Sequence, residues 1–187
     1  MKKPFLILPV LLIASIIAAG QDKYFTKTGK IFFKCTQTSS IEKIEAVNNS
    51  ATCVLDTKTG NMQFAVLMKG FEFERALMEE HFNENYVESV KFPRSEFRGQ
   101  VINNNEINYS KDGSYSIKVK GTLTIHGVTK DVETDGILQV KQGKLFTNAI
   151  FNIKLSDYKI SIPSVVSDKI SNTVNISVDC TLESLNK

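Results

Sequence analysis

Residues 113–126, Gly-Ser-Tyr-Ser-Ile-Lys-Val-Lys-Gly-Thr-Leu-Thr-Ile-His, alternate apolar and polar side chains along almost their whole length. The polar positions of this alternation are occupied by serine, lysine and threonine. The apolar positions are occupied by Tyr115, Ile117, Val119, Leu123 and Ile125. Successive side chains of a β-strand point to opposite faces of the sheet. The stretch therefore predicts a strand with one buried face and one solvated face.

The same alternation continues on both sides of this stretch. It is strong in residues 144–157 and 172–183, and weaker but in the same sense in residues 29–36, 45–56, 61–73 and 93–103. Turn-forming residues separate the segments at positions 57–60, 111–113, 126–127, 135–136 and 142–143. Short strands divided by such turns are typical of an all-β barrel or sandwich.

One segment departs from the alternation. Residues 74–83, Glu-Arg-Ala-Leu-Met-Glu-Glu-His-Phe-Asn, are rich in helix-forming side chains and predict one short helix between strands. Eight strands with their turns need roughly 120–160 residues. This number fits the length of the chain without its first 20 residues. We therefore predict an eight-stranded antiparallel barrel with one short helix, and a two-sheet sandwich stays as the alternative.

The first 20 residues have the layout of a secretory signal peptide. Lys2 and Lys3 precede an almost wholly apolar run over residues 5–17, and Ala-Ala-Gly follows at residues 18–20. The alternative is a membrane anchor, but the run is shorter than the roughly 20 residues that a bilayer requires. We expect residues 1–20 to be removed, residues 21–187 to form one exported domain without a membrane span, and the destination to be periplasmic or extracellular.

The charge of the expected mature domain is close to neutral. Without the two lysines of the signal peptide, 21 of the 23 basic residues remain against 20 acidic ones. The basic residues alternate with acidic ones instead of forming a patch. Nucleic acid is therefore not expected as a partner.

Three cysteines remain, namely Cys35, Cys53 and Cys180. An exported protein can form disulfides, and Cys35 with Cys53 is the first candidate pair because both lie on predicted neighbouring strands. The odd count leaves at least one thiol outside any internal pair. The alternative is three small buried side chains, which is the usual state of free cysteine. The spacing and the two histidines do not predict a zinc site or any other metal site.

The residues that catalysis usually needs are sparse. The chain shows no Gly-rich phosphate loop, no Gly-x-Ser-x-Gly and no His-Glu-x-x-His motif. His126 is expected at a strand end, facing outward, and His81 at the end of the helix. A charged helix face explains the cluster of Glu79, Glu80, Glu84 and Glu88 more simply than a catalytic pair. No catalytic residue is predicted, and the protein is not expected to be an enzyme.

Phenylalanine is abundant, with 12 residues, and many of them fall in or beside predicted strands. These are Phe33, Phe64, Phe71, Phe73, Phe92, Phe97 and Phe151. Such side chains either fill a solid barrel core or line a ligand tunnel, and alternation alone leaves both interpretations open. Small residues on the inward parity, such as Gly121 and Ala149, leave room for a ligand without proving a cavity.

Several ordered segments add a family resemblance. They are His-Phe-Asn-Glu-Asn-Tyr-Val-Glu-Ser at 81–89, Lys-Phe-Pro at 91–93, Phe-Arg-Gly at 97–99, Val-Lys-Gly-Thr-Leu-Thr-Ile-His-Gly-Val-Thr-Lys at 119–130, and Leu-Ser-Asp-Tyr-Lys-Ile-Ser-Ile-Pro at 155–163. In this order and spacing, they resemble the YceI-like family of exported, lipocalin-like proteins. The resemblance extends from about residue 60 to the end, while residues 21–56 match less well.

The resemblance implies an extended, lipocalin-like barrel of eight strands. It also implies an interior tunnel that holds a polyisoprenoid, either a polyprenyl phosphate or a long-tailed quinone, with no other cofactor. The expected lining adds Tyr115 and Leu123 to the seven phenylalanines, and the candidates for contact with a polar head group are Arg75, His81 and Asn83. A homodimer is compatible with the exposed barrel faces. Two other functions stay open: a structural, adhesion or stress-related barrel with a self-filled core, and a quinone-dependent redox accessory.

Overall fold

The computed structural model describes residues 23–35, 43–164 and 170–185, so the predicted signal peptide lies outside the described residues. Nine antiparallel strands account for most of these residues. They are β1 Lys23–Cys35, β2 Glu45–Asp56, β3 Asn61–Leu67, β4 Glu72–Phe73, β5 Arg94–Val101, β6 Gly113–Ile125, β7 Val128–Lys141, β8 Lys144–Lys154 and β9 Thr173–Ser184. The all-β prediction is confirmed.

Eight of these strands close into a barrel. Their neighbour order is β1-β9-β8-β7-β6-β5-β3-β2, and the pairing of β1 with β2 closes the ring. The two-residue strand β4 adds to the edge of β2 through the pairs Ala46↔Phe73 and Val47↔Glu72. The eight-stranded antiparallel barrel is therefore confirmed, and the sandwich alternative is wrong.

One predicted turn lies inside a strand. Residues 135–136, an Asp-Gly pair, fall in the middle of β7, where Gly136 faces Ile117 on β6 and Ala149 on β8. A Cβ atom at Gly136 would lie 2.8 Å from the carbonyl oxygen of Asn148. Glycine is used here for close approach of neighbouring strands and not for a turn. By contrast, the turn at His126-Gly127 is confirmed, with φ angles of 51° and 71°.

The predicted helix is confirmed, with different bounds. Helix α1 spans Ala76–His81, and a π-helical turn over Phe82–Tyr86 follows it directly. The predicted strand over residues 61–73 is interrupted before the helix. It ends at Leu67, and a 3₁₀ turn at Met68–Gly70 leads into β4.

The barrel interior divides into two hydrophobic clusters, one at each end. The first lies where β1 begins and β2 ends, at the end that we call the packed end. It contains side chains with no exposed area, among them Leu55, Leu138, Leu145 and Leu182. Ile107 and Tyr109, from the segment between β5 and β6, pack onto the same cluster. This end of the barrel is a solid core.

The second cluster lies at the opposite end, beneath α1, which we call the cavity end. It includes Phe33, Val66, Phe71, Ile153 and Val174, each less than 10% exposed. Several partly buried residues, including Phe82, Leu123 and Phe151, pack against it. The incomplete burial of these large side chains indicates that this end is not filled.

Candidate ligand-binding cavity

A cavity of about 530 Å³ occupies the cavity end of the barrel. This volume lies within the range of about 300–1,000 Å³ that is typical of sites for small molecules and cofactors. Its floor is formed by Met62, Ile117, Val119 and Thr147, at the level where the packed core begins. Apolar side chains dominate the walls. The cavity therefore favours an apolar occupant.

The structure places seven of the nine predicted lining residues around this cavity. They are Phe33, Phe64, Phe71, Phe73, Phe97, Leu123 and Phe151. Six of them lie on strands and face inward, whereas Phe71 follows the 3₁₀ turn at Met68–Gly70. The small residue Ala149 also lines the cavity, as expected. Gly121 does not, because it pairs with Gly99 and a Cβ there would overlap the backbone of Arg98.

Phe92 and Tyr115 lie away from the cavity. Phe92 belongs to the segment before β5, and alternation does not predict the direction of a side chain outside a strand. Its ring packs against the ring of His126, with the two centroids 4.4 Å apart. Tyr115 has the inward parity but sits near the packed end, where it packs against the first cluster. Its hydroxyl donates to the carbonyl oxygen of Asn108 at 3.3 Å. Parity predicted the direction of Tyr115 but not its depth along the barrel.

Four phenylalanine rings pack together beneath α1. Phe82 stacks on Phe33 with centroids 5.5 Å apart, and it contacts Phe71 and Phe73 at 5.5 and 5.1 Å. Aromatic rings at such distances attract one another beyond their apolar burial. Phe82 was not predicted as a lining residue because it follows the helix and belongs to no strand. Phe82 is the first residue of the π-helical turn, and its ring packs against the cluster at the cavity end.

Aliphatic lining residues were also missed. Ile31, Ile153, Val174 and Ile176 line the cavity from β1, β8 and β9. Ile31 shares the parity of Phe33, and Ile153 shares that of Phe151. Alternation alone would therefore have predicted these residues as lining residues. They were missed because the prediction favoured aromatic side chains.

The three head-group candidates separate into two places. Arg75, just before α1, and His81, its last residue, both line the cavity. Asn83 does not: its side-chain amide donates to the carbonyl oxygen of Glu79 at 2.9 Å. It lies in a different surface depression, together with Glu79 and Lys91. Among the described residues, the basic groups that line the cavity are thus Arg75 and His81.

His126 does not face outward as predicted. Its side chain is 11% exposed, and it lies between the segment after α1 and the segment after β8. Nε2 is 2.7 Å from a carboxylate oxygen of Glu88, and Nδ1 is 3.1 Å from the carbonyl oxygen of Tyr158. The hydrogen bond from His126 holds the pKa of Glu88 below its usual range. These groups connect segments of the fold and do not line the cavity.

The expected disulfide between Cys35 and Cys53 is wrong. All three cysteines are free and buried. Cys53 pairs with Thr26 on β1, nine residues before Cys35, which is about 30 Å along a strand. Cys35 instead lines the cavity, where its sulfur accepts the backbone N–H of Ser171 at 3.0 Å. The alternative of three small buried side chains is confirmed.

The two cysteines of the packed end are poor nucleophiles. Burial raises the pKa of the Cys180 thiol to about 12. Burial also raises the pKa of Cys53, and the neighbouring Cys180 adds to this rise. Because the thiolate is the reactive form, both thiols are unreactive near neutral pH.

In the described ranges 23–35, 43–164 and 170–185, no three His, Cys, Asp or Glu side chains are placed to hold a metal ion. No helix in the same ranges is long and apolar enough to cross a membrane.

A closed antiparallel barrel of eight strands with an apolar interior cavity defines a lipocalin-like protein. The family model described as a YceI-like domain matches residues 24–182. The chain therefore belongs to the YceI-like family. Comparison with curated proteins gives no match.

Solved structures show the same fold at low sequence identity. A polyisoprenoid-binding domain from Saccharophagus degradans, described as implicated in plant cell wall breakdown, has a TM-score of 0.75 at 14% identity and covers 87% of this chain and 98% of its own. BcnA of Burkholderia cenocepacia has a TM-score of 0.65 at 15% identity, with 82% and 95% covered. A YceI protein of Campylobacter jejuni has a TM-score of 0.56 at 18% identity, with 78% and 87% covered.

Proposed function

We propose that this protein binds a long apolar lipid, of the polyisoprenoid class, in the barrel cavity and carries or stores it after export. The observation that carries the proposal is the cavity of about 530 Å³, which is lined mainly by phenylalanine, isoleucine, valine and methionine. A barrel with a self-filled core would leave no such space at this end. The Saccharophagus degradans domain, which is described as polyisoprenoid-binding, supports the same ligand class.

Apolar burial supplies the binding energy. Each CH₂ group removed from water contributes roughly 0.8 kcal/mol, so a chain of a few isoprene units binds well without polar contacts. The cavity lies between the aromatic cluster of Phe33, Phe71, Phe73 and Phe82 and the floor at Thr147. Because such contacts are poorly directional, we expect tolerance of several chain lipids and selection mainly by length.

The basic residues beside α1 support an anionic head group. Arg75 and His81 line the cavity where α1 begins and ends, so a phosphate there would meet two hydrogen-bond donors. This favours a polyprenyl phosphate over a long-tailed quinone as the occupant. Asn83 is not part of this arrangement, since its amide is engaged with α1 itself.

Binding without catalysis is also part of the proposal. His126, one of the two histidines, is held by Glu88 and Tyr158 outside the cavity. Cys53 and Cys180 lie in the packed end with raised thiol pKa values. A quinone-dependent redox role would need a proton-transferring group at the quinone. Of the histidines, His81 alone lines the cavity.

Lipid extraction tests the proposal directly. The protein is purified without detergent, extracted with organic solvent, and the extract is analysed by mass spectrometry. We expect a chain lipid in near-stoichiometric amount, and less of it in Ala149→Trp, which places an indole in the cavity. Ser114→Trp, on the exposed outer face of β6, is the matched control. Protein that is consistently empty, and that also fails to take up added prenyl lipids, would contradict the proposal.

A further inference from the structure

Among residues 23–35, 43–164 and 170–185, the strand pairing of the barrel wall is incomplete between β7 and β8. Their pairing runs from Lys141↔Lys144 at the packed end to Gly136↔Ala149. Beyond this pair, β7 continues as residues 128–135, which pair with β6. β8 continues as residues 150–154, which pair with β9. Towards the cavity end, the two facing edges therefore leave a gap in the hydrogen-bonded wall, which we call the lateral window.

Both limits of the lateral window are defined by contacts. The lower limit is the pair Gly136↔Ala149. The upper limit is the hydrogen bond between Nδ1 of His126, where β6 ends, and the carbonyl oxygen of Tyr158, after β8. Between them, the Thr134 hydroxyl donates to the carbonyl oxygen of Ile150 over 3.5 Å, which is long for a hydrogen bond. The two edges can therefore separate without breaking regular strand pairing.

The cavity reaches the lateral window from inside. Val132 and Thr134 on β7, and Ala149 and Phe151 on β8, line the cavity on the two sides of the gap. Asn148, next to Ala149 and paired with Ile137, also borders the cavity. Cavity-lining residues therefore continue down to the lower limit of the window.

The outer rim of the lateral window is apolar. Ile137 on β7 is 53% exposed and Ile150 on β8 is 58% exposed, both on the outer face. Ile137 pairs with Asn148, two residues before Ile150, so the two isoleucines are diagonal neighbours across the lower limit of the window. Together with Val132 and Phe151, they form an apolar path from the surface into the cavity.

The end of the barrel beneath α1 is more crowded. There the rings of Phe33, Phe71, Phe73 and Phe82 pack at centroid distances of 5.1 to 5.6 Å. A chain that entered along the barrel axis on this side would have to displace packed rings. A chain that entered sideways would displace one long hydrogen bond, that of Thr134, and part of the packing of residues 155–158 against β7, but no cluster of aromatic rings.

We infer that the apolar chain enters and leaves the cavity through the lateral window between β7 and β8. This inference rests on the proposed function. A flexible hydrocarbon can pass between the two edges segment by segment, in contact with Ile137 and Ile150 outside and with Val132 and Phe151 inside. The contact of His126 with Tyr158 sets the upper limit of the window.

A cross-link across the lateral window tests this route. Asp135 and Ile150 are the next facing positions beyond the last pair, and both are exposed. The double variant Asp135→Cys with Ile150→Cys is oxidised, and mass spectrometry checks the cross-link. A short bismaleimide replaces the disulfide if the sulfurs do not reach each other. The control is Asn152→Cys with Asn175→Cys, which cross-links the intact wall between β8 and β9, where Asn175 donates to Asn152 at 3.0 Å.

Stopped-flow fluorescence with cis-parinaric acid, a chain lipid whose emission rises on burial, measures uptake and release. We expect the cross-link across the window to slow both rates by about tenfold or more, with recovery on reduction of the disulfide. The control cross-link should leave both rates unchanged. Equal rates in the window variant with and without its cross-link would overturn the route while leaving lipid binding intact; the reference is the reduced protein for the disulfide and the unreacted protein for the bismaleimide. Absence of uptake by the unmodified protein would instead overturn the proposed function, and the route with it.

Discussion

The Nε2 atom of His126 lies 2.7 Å from a carboxylate oxygen of Glu88, a residue 38 positions earlier in the chain. The other ring nitrogen, Nδ1, lies 3.1 Å from the carbonyl oxygen of Tyr158. Both partners are acceptors, so both nitrogens donate at the same time only when the imidazole is protonated. The contact joins the segment after α1, the hairpin between β6 and β7, and the segment after β8.

Backbone strain is concentrated around the same contact. Glu88 and His126 have positive φ angles of 45° and 51°, and Lys159, next to Tyr158, has a φ angle of 57°. Such angles are unfavourable for residues other than glycine and persist where surrounding contacts hold them. The hydrogen bonds of His126 are contacts of this kind.

The pH dependence of stability should reflect this contact. Because His126 and, more weakly, Lys91 hold the pKa of Glu88 below its usual range, this carboxylate stabilises the fold above the pKa of the unfolded carboxyl. The contribution disappears as the pH falls through the lower folded-state pKa. We expect Glu88→Gln to lower the melting temperature at neutral pH, with the difference from the unmodified protein shrinking in acid.

Circular dichroism melts from about pH 3 to pH 7, across the usual carboxyl range, measure this difference. Glu80→Gln, which changes an exposed carboxylate on α1, is the control and should have little effect at any pH. A difference for Glu88→Gln that is constant with pH would show that the variant acts through something other than the charge.

The regular part of this fold could be predicted because alternation is a local property. Residues 45–56 were predicted as a strand with the bounds of β2, and β6 ends one residue before the predicted limit. β7 was missed because its Asp135-Gly136 pair resembles a turn. The reason for Gly136 is the approach of the Asn148 carbonyl on another strand, which no local pattern contains.

The site could be predicted less well than the fold. Leu123 and Leu138 both face the barrel interior, yet Leu123 lines the cavity and Leu138 lies fully buried in the packed end. Parity gives the direction of a side chain but not its depth along the barrel. The lateral window was not predicted either, because where β7 separates from β8 depends on the pairing of whole strands.

The basic residues at α1 should discriminate between head groups. If a phosphate lies beside Arg75 and His81, the double variant Arg75→Ala with His81→Ala should bind farnesyl phosphate about three- to tenfold more weakly, as expected for one or two partly exposed charged hydrogen bonds. Farnesol, which has the same chain and no charge, should bind nearly as before. Displacement of the neutral fluorescent probe N-phenylnaphthylamine gives both affinities.

Lys141→Ala, at the packed end of β7, removes a cation far from the cavity and should change neither affinity. Equal weakening of farnesol and farnesyl phosphate by the double variant would mean that these side chains support the cavity wall and do not contact an anion.

The two ends of the barrel should respond differently to truncation. Leu138→Ala leaves a void in a filled core and should lower the free energy of unfolding by about 2–5 kcal/mol. Leu123→Ala should cost less, about 1–2 kcal/mol, because one side of Leu123 already faces the cavity and has fewer contacts to lose. Urea denaturation measures both.

Lipid affinity should show the opposite order. Leu123→Ala removes apolar contact with the occupant and should weaken binding of N-phenylnaphthylamine about three- to tenfold. Leu138→Ala should leave it close to unchanged under conditions where the variant is folded. If both variants were equally destabilised and bound the probe equally, the division into a packed end and a cavity end would be wrong.

Thiol reactivity should report the burial of the cysteines. Burial raises the pKa of Cys180 to about 12 and also raises that of Cys53, so neither supplies thiolate near neutral pH. In Cys35→Ser, which leaves these two, the native protein should react with dithionitrobenzoate at least about a hundredfold more slowly than the guanidinium-unfolded chain, since reaction then requires unfolding. In the unfolded variant, two thiols per chain should react with the reagent. Rapid reaction of the native variant, or an intact mass lower by two hydrogens, would show that Cys53 and Cys180 are accessible or joined by a disulfide.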